Sequence, residues 1–137
     1  MTQSMDVASN KLIVRRVFEE AVNQGRLDLL PELFAADYVG PQGDRGPAGF
    51  GAVMESLRRA FPDIAYVIDD VVAEGDRVVL RWTWTGTHRG AFRTFQPTGK
   101  TIRNTGIGVF QLRDGRVTRV WMESDRLGFQ EQMAGKP

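Results

Sequence analysis

The chain has 137 residues, 42% of them hydrophobic and 26% charged, with no cysteine and a single histidine, His88. That size and composition predict one globular domain, residues 1–137, with room for a sizeable core. A net charge of +1 gives no reason to expect nucleic acid or an acidic membrane as partner, and the Cys and His counts exclude disulfides, thiolate catalysis, cysteine metal sites and histidine-rich metal centres.

Residues 1–8 read as loose, with Ser9 or Asn10 available to cap a helix. From Asn10 to Asn23 the stripe Ile13, Val14, Val17, Phe18 and Ala21 predicts an amphipathic helix, stopped at Gly25. A short second helix buries Leu30, Leu33 and Phe34. With Asp28 as its N-cap, Pro31 falls in the first turn, where its missing N–H is not needed. Tyr38-Val39 reads as a short extended piece and residues 40–46 as a loop. Pro47 then opens a third helix, in which Phe50, Val53, Met54, Leu57 and Phe61 follow helical spacing until Pro62.

The rest is strand-rich. Strands are predicted over 64–73, from Arg77 to His88, over 101–112 and over 116–124, joined by tight turns at 74–76 and 113–115. The longer connection 89–100 carries Phe92 and Phe95, either as a lid or as a clasp for the loop. Arg126 to Ala134 fits a terminal helix. Helices first and an antiparallel meander afterwards predict an α+β fold, with helices packed on one face of a strongly curved sheet. Apolar residues on both parities, Tyr66 and Ile68 against Val67 and Val71, predict that the other face is covered too, by a second copy in a homodimer.

Side chains alternate across a strand, so Val78, Leu80, Trp82, Trp84, Gly86 and His88 share one face, and Val117, Arg119, Trp121, Glu123 and Asp125 share another. A histidine and an aspartate, each finishing a strand that carries aromatic residues, are expected to meet at the mouth of one pocket. Each has a structural alternative: His88 as a loop anchor, and Asp125 as the N-cap of the terminal helix. Trp82 and Trp84 line either a cavity or the core, and Asn104, on the parity of Ile102 and Gly106, is a candidate pocket donor. Residues 1–9 lack the basic start and apolar run of a signal peptide, and no stretch approaches a membrane span, which predicts a cytoplasmic protein.

Several phrases resemble the SnoaL-like polyketide cyclases of the nuclear-transport-factor-2-like superfamily. They include Leu33-Phe34-Ala35-Ala36-Asp37-Tyr38-Val39, Ala60-Phe61-Pro62-Asp63, Glu74-Gly75-Asp76-Arg77-Val78, Gly86-Thr87-His88-Arg89-Gly90, Pro97-Thr98-Gly99-Lys100 and Trp121 to Asp125. The resemblance implies a cone of helices on a curved sheet enclosing a cavity, no metal or organic cofactor, and a homodimer. It implies a hydrophobic, carbonyl-bearing substrate closed into a ring by intramolecular aldol addition, with Asp125 as acid/base and His88 as a hydrogen-bond donor. Phe18, Phe34, Tyr38, Met54, Trp82, Asn104 and Trp121 are the expected substrate contacts. Many relatives follow the Asp-Tyr-Val phrase with an acidic residue and a histidine, whereas here it is followed by Gly40-Pro41-Gln42. An isomerase, an epoxide hydrolase or a non-catalytic small-molecule binder of the same fold are the alternatives.

Overall fold

The computed structural model describes residues 6–135. Helix α1 (Val7–Arg16) starts at Asp6, whose carboxylate accepts the Ser9 N–H at 2.8 Å. The cap is therefore Asp6 and not Ser9 or Asn10, both of which lie inside the helix. Residues 1–5 of the expected loose start lie outside the described residues. Helix α1 runs on into a π-helical stretch, Val17–Val22, in which Val17, Phe18, Ala21 and Val22 are all buried. Those four continue the apolar stripe of α1 across the π turn, so the helix keeps one face buried throughout.

A 3₁₀ turn (Leu27–Leu29) leads into α2 (Leu30–Leu33), with Pro31 in its first turn as expected, but the N-cap is Leu29 and not Asp28, which lies within the 3₁₀ turn. Strand β1 (Phe34–Val39) is longer than predicted and takes Phe34 out of the helix. Helix α3 (Gly46–Ala60) follows, then β2 (Ala65–Glu74), β3 (Arg77–Thr87), β4 (Thr101–Arg113), β5 (Arg116–Ser124) and α4 (Arg126–Met133). The five strands form one sheet in the order β1-β5-β4-β3-β2, antiparallel except that β1 runs parallel to β5. The fold is α+β, with helices on the concave face of the sheet.

Two side-chain amides stand in for missing strands. Asn23 accepts the Tyr66 N–H at 2.7 Å and donates to the Tyr66 carbonyl at 2.9 Å, closing the free edge of β2. Gln132 of α4 makes the same pair of bonds, both 2.8 Å, with the Arg103 backbone of β4, in the part of β4 that lies beyond its pairing with β5. Each amide satisfies a backbone donor and acceptor that would otherwise invite another chain.

Two irregularities decide which residues face the helices. In β5, Leu112 pairs with Val117 but Gln111 with Arg119, leaving Thr118 as an extra residue. In β2, Ile68 pairs with Trp82 and Asp70 with Arg81, leaving Asp69 extra. Each bulge reverses the alternation beyond it. Val117, Val120, Met122 and Ser124 therefore point inward, and Arg119, Trp121 and Glu123 outward, the reverse of the regular alternation expected through Trp121.

The exposed Asp63 fastens the end of β3: its carboxylate accepts the Thr87 N–H at 2.6 Å and the Thr87 hydroxyl at 2.7 Å. The backbone bond, then the hydroxyl bond, hold its pKa below the ordinary carboxylate value. A group that is a stronger acid when folded stabilises the fold above its unfolded pKa, and that contribution fades as pH falls through the folded one. Asp63→Asn should lower the melting temperature at pH 7 and lose less than the wild type on acidification below about pH 4. Parallel pH curves for the two proteins would contradict the contact.

Candidate functional site

Within the cone, the transverse rows of the sheet define the inner wall. Tyr66, Trp84 and Asn104 form one row across β2, β3 and β4; Ile68, Trp82, Gly106 and Ser124 form the next across β2 to β5; Leu80, Gly108 and Met122 follow. Most inward side chains are sealed, yet Ile68, Asn104, Gly106, Met122 and Ser124 stay half-buried. Inward-facing residues that solvent still reaches mark the open part of the cone.

Its floor is a tryptophan laid flat. A methyl group at Gly106 would overlap the Trp82 indole, and one at Gly108 would crowd the Met122 thioether. With both Cβ atoms absent, Trp82 lies across β4 and its Nε1 donates to Met122 Sδ at 3.3 Å. Asn104 Oδ1 accepts the neighbouring Thr105 N–H at 3.0 Å, and its Nδ2 has no partner among the described residues. The inward positions of β2 to β5 carry no charged side chain; the Arg81 pair with Asp70 at 2.7 Å sits on the outside.

Asp125 stands at the rim, next to Ser124. Its N–H bonds to the Thr105 carbonyl at 3.0 Å, and its Oδ1 accepts the Gly128 N–H at 2.9 Å as the N-cap of α4. The residue is exposed and Oδ2 makes no hydrogen bond among the described residues.

His88 lies elsewhere. Thr105 faces Thr83 across β3–β4, and His88 is five residues beyond Thr83, roughly 16 Å along the strand. The expected meeting of His88 and Asp125 is not made. The imidazole is fully buried against Phe61, ring centroids 5.3 Å apart, in an aromatic group that includes Phe92 and Phe129. Its Nδ1 accepts the Thr98 N–H at 3.1 Å and lies 3.0 Å from the Thr98 hydroxyl, while Nε2 is sealed and has no partner among the described residues. The loop-anchor alternative describes its Nδ1 side: through Thr98, His88 holds the 89–100 connection in place. The neighbouring N–H groups of Arg89 and Gly90 both donate to the Ala60 carbonyl at the end of α3.

The other expected contacts divide. Phe18, 2% exposed, packs on Tyr66 and Phe110 inside the cone, and Trp82 forms its floor. Met54 is buried on α3. Phe34 and Tyr38 form a separate aromatic pack with Phe50, with Phe34–Phe50 stacked at 4.4 Å. Burial first, and then the Asp44 carboxylate beside it, raise the Tyr38 phenol pKa. Trp121 is corrected outright: the Thr118 bulge turns it to the outer face, 38% exposed, between the guanidinium groups of Arg77 and Arg119 at 5.1 and 4.9 Å. Sequence reading missed Met122, Ser124, Ile68 and the floor role of Gly106 as cavity wall, because the bulges that orient β2 and β5 leave no mark in the hydrophobic alternation.

Two shallow grooves of about 380 and 350 Å³ lie on the α2–α3 flank, sharing Pro31 and Pro47. Among the expected site residues they touch Phe34 alone, and the Arg113 at one end is already paired with Asp37 at 2.8 Å.

The chain belongs to the SnoaL-like polyketide cyclase family, whose model matches residues 12–133. Solved structures of the same cone fold include the "putative polyketide cyclase" of Acidithiobacillus ferrooxidans, 32% identical over 100% of both chains with a TM-score of 0.82. TsrD from Streptomyces laurentii is 26% identical, covering 98% of this chain and 100% of its own, with a TM-score of 0.88. IdmH from Streptomyces antibioticus is 30% identical, covering 91% of this chain and 98% of its own, with a TM-score of 0.80. No curated protein sequence matches the chain. No helix among the described residues is long and apolar enough to cross a membrane.

Gly106→Ala should push the indole off the floor. Expected outcomes are a loss of about 1–3 kcal/mol in denaturant unfolding and an altered near-ultraviolet tryptophan signal. An unchanged spectrum and stability would mean that Trp82 does not rest on β4.

Proposed function

We propose that this protein is a cofactor-independent cyclase that closes a ring in a hydrophobic, carbonyl-bearing small molecule by acid/base catalysis. The observation that carries this reading is the pairing of an open, uncharged, aromatic inner face with one carboxylate at its rim. A flexible apolar chain folded against Trp82 and Met122 would bring two carbonyl carbons into reach, which accounts for much of the acceleration. Asp125 Oδ2 then takes a proton from the carbon beside one carbonyl. The resulting carbanion attacks the second carbonyl carbon, forming the carbon–carbon bond, and the alkoxide takes the proton back from Asp125. Atoms balance without a cofactor.

An epoxide hydrolase has less support, because no arginine or second carboxylate faces inward from β2 to β5. The bond from Gly128 to Asp125 favours one rival, a non-catalytic binder in which Asp125 is only a helix cap. Asp125→Asn separates the two, since Asn caps as well as Asp but cannot exchange a proton. Turnover of a cyclised substrate should fall roughly a hundred- to ten-thousand-fold at unchanged melting temperature. Full turnover by Asp125→Asn would overturn the assignment.

The same reading includes a homodimer through the outer face. Val72, Val79, Val109 and Trp121 form one continuous row across β2 to β5, with Val72 60% and Trp121 38% exposed and Ile107 close by at 45%. A row of that kind is better covered than left to water. Sedimentation should give a dimer at micromolar concentration and a monomer for Val72→Glu. A monomeric wild type would contradict it.

A further inference from the structure

Tyr66 is 7% exposed, with its ring wedged between Phe18 at 5.0 Å and Trp82 at 5.3 Å. The Asn23 amide fixes its backbone through two bonds, so the ring direction is set by the edge of the sheet. Yet among the described residues its hydroxyl has no hydrogen-bond partner, and it is not among the atoms fully sealed from solvent. Its contact with Trp82 shows that it leans toward the floor of the cone, away from the flanking Trp84 of its own row. A phenol held this firmly, nine-tenths buried and unpaired, leaves a hydrogen bond unmade that a ligand can complete.

From this geometry we infer that Tyr66 is a ligand-binding residue, donating its O–H to an acceptor oxygen of a neutral, flat molecule lying on the Trp82–Met122 floor. Burial raises the phenol's pKa, so Tyr66 keeps its proton and acts as a donor. The unpaired Asn104 Nδ2, two strands away on the same row, gives the site a second donor. With two donors and no inward charge on β2 to β5, the wall favours carbonyl oxygens over carboxylates, which would be desolvated there without a counter-ion. The inference rests on the proposed function only in taking the inner face as the ligand site.

Three probes of one shape test it by quenching of tryptophan fluorescence: 9-fluorenone, fluorene, which lacks the carbonyl, and 9-fluorenone-2-carboxylate. Wild type should bind 9-fluorenone and bind the carboxylate more weakly. Tyr66→Phe should weaken 9-fluorenone roughly three- to tenfold and leave fluorene unchanged, with no loss of melting temperature. Equal 9-fluorenone affinity in both proteins, an equal loss for fluorene, or no 9-fluorenone binding by wild type would each overturn the inference. Asp125→Asn should bind 9-fluorenone as wild type does, so failure of the catalytic assignment and failure of the Tyr66 assignment give different patterns.

Discussion

Two extra residues, Asp69 in β2 and Thr118 in β5, set which side chains the cone encloses. Strand alternation has a period of two, so one inserted residue exchanges the inner and outer faces of everything beyond it. Without the Thr118 bulge, Arg119 and Glu123 would point into an apolar interior and Met122 into water. The bulge lets one strand supply Val117 and Val120 to the core, Met122 to the floor and Trp121 to the outer row. Bulges also bend and twist a sheet, so the choice of face and the curvature that makes a cone come from the same insertions.

An interior arranged this way keeps charge outside and puts neutral donors inside. The ion pairs run along helix flanks and the outer sheet, such as Arg15–Glu19 and Arg81–Asp70, where water screens them and their net contribution is small. On the inward rows of β2 to β5 the polar groups include the Trp82 and Trp84 indoles, the Asn104 amide, the Ser124 hydroxyl and the Tyr66 phenol. A surface of this character suits apolar molecules with oxygen acceptors. Next to Ser124, Asp125 has one carboxylate oxygen engaged by α4 and the other free among the described residues.

The elements were legible in the sequence because their signals are local. The α3 stripe, the turns at 74–76 and 113–115, and β5 from Arg116 to Ser124 all follow from short-range periodicity and turn chemistry. The expected pairing of His88 with Asp125 failed because it treated two strand ends as one place. Register alone sets their separation, through pairings such as Thr83 with Thr105, and no local pattern encodes it. The edge-closing roles of Asn23 and Gln132 were equally hidden, since their partners Tyr66 and Arg103 are distant in sequence. Phe34 was correctly placed in the core but on the wrong element, because a helix stop and a strand start share the same residues there.

The central claim is that the half-open inner floor, and not the α2–α3 flank, receives the ligand. Methionine methyl resonances report on it directly, because Met122 lies on the floor while Met54 and Met133 are buried elsewhere. Titration of methyl-labelled protein with 9-fluorenone should move the Met122 methyl strongly through the ring current of the probe, with Met133 unmoved. A Met122 signal that stays in place while the backbone amides of Ala48, Gly51 and Ala52 shift would put the ligand in the flank groove and contradict the account.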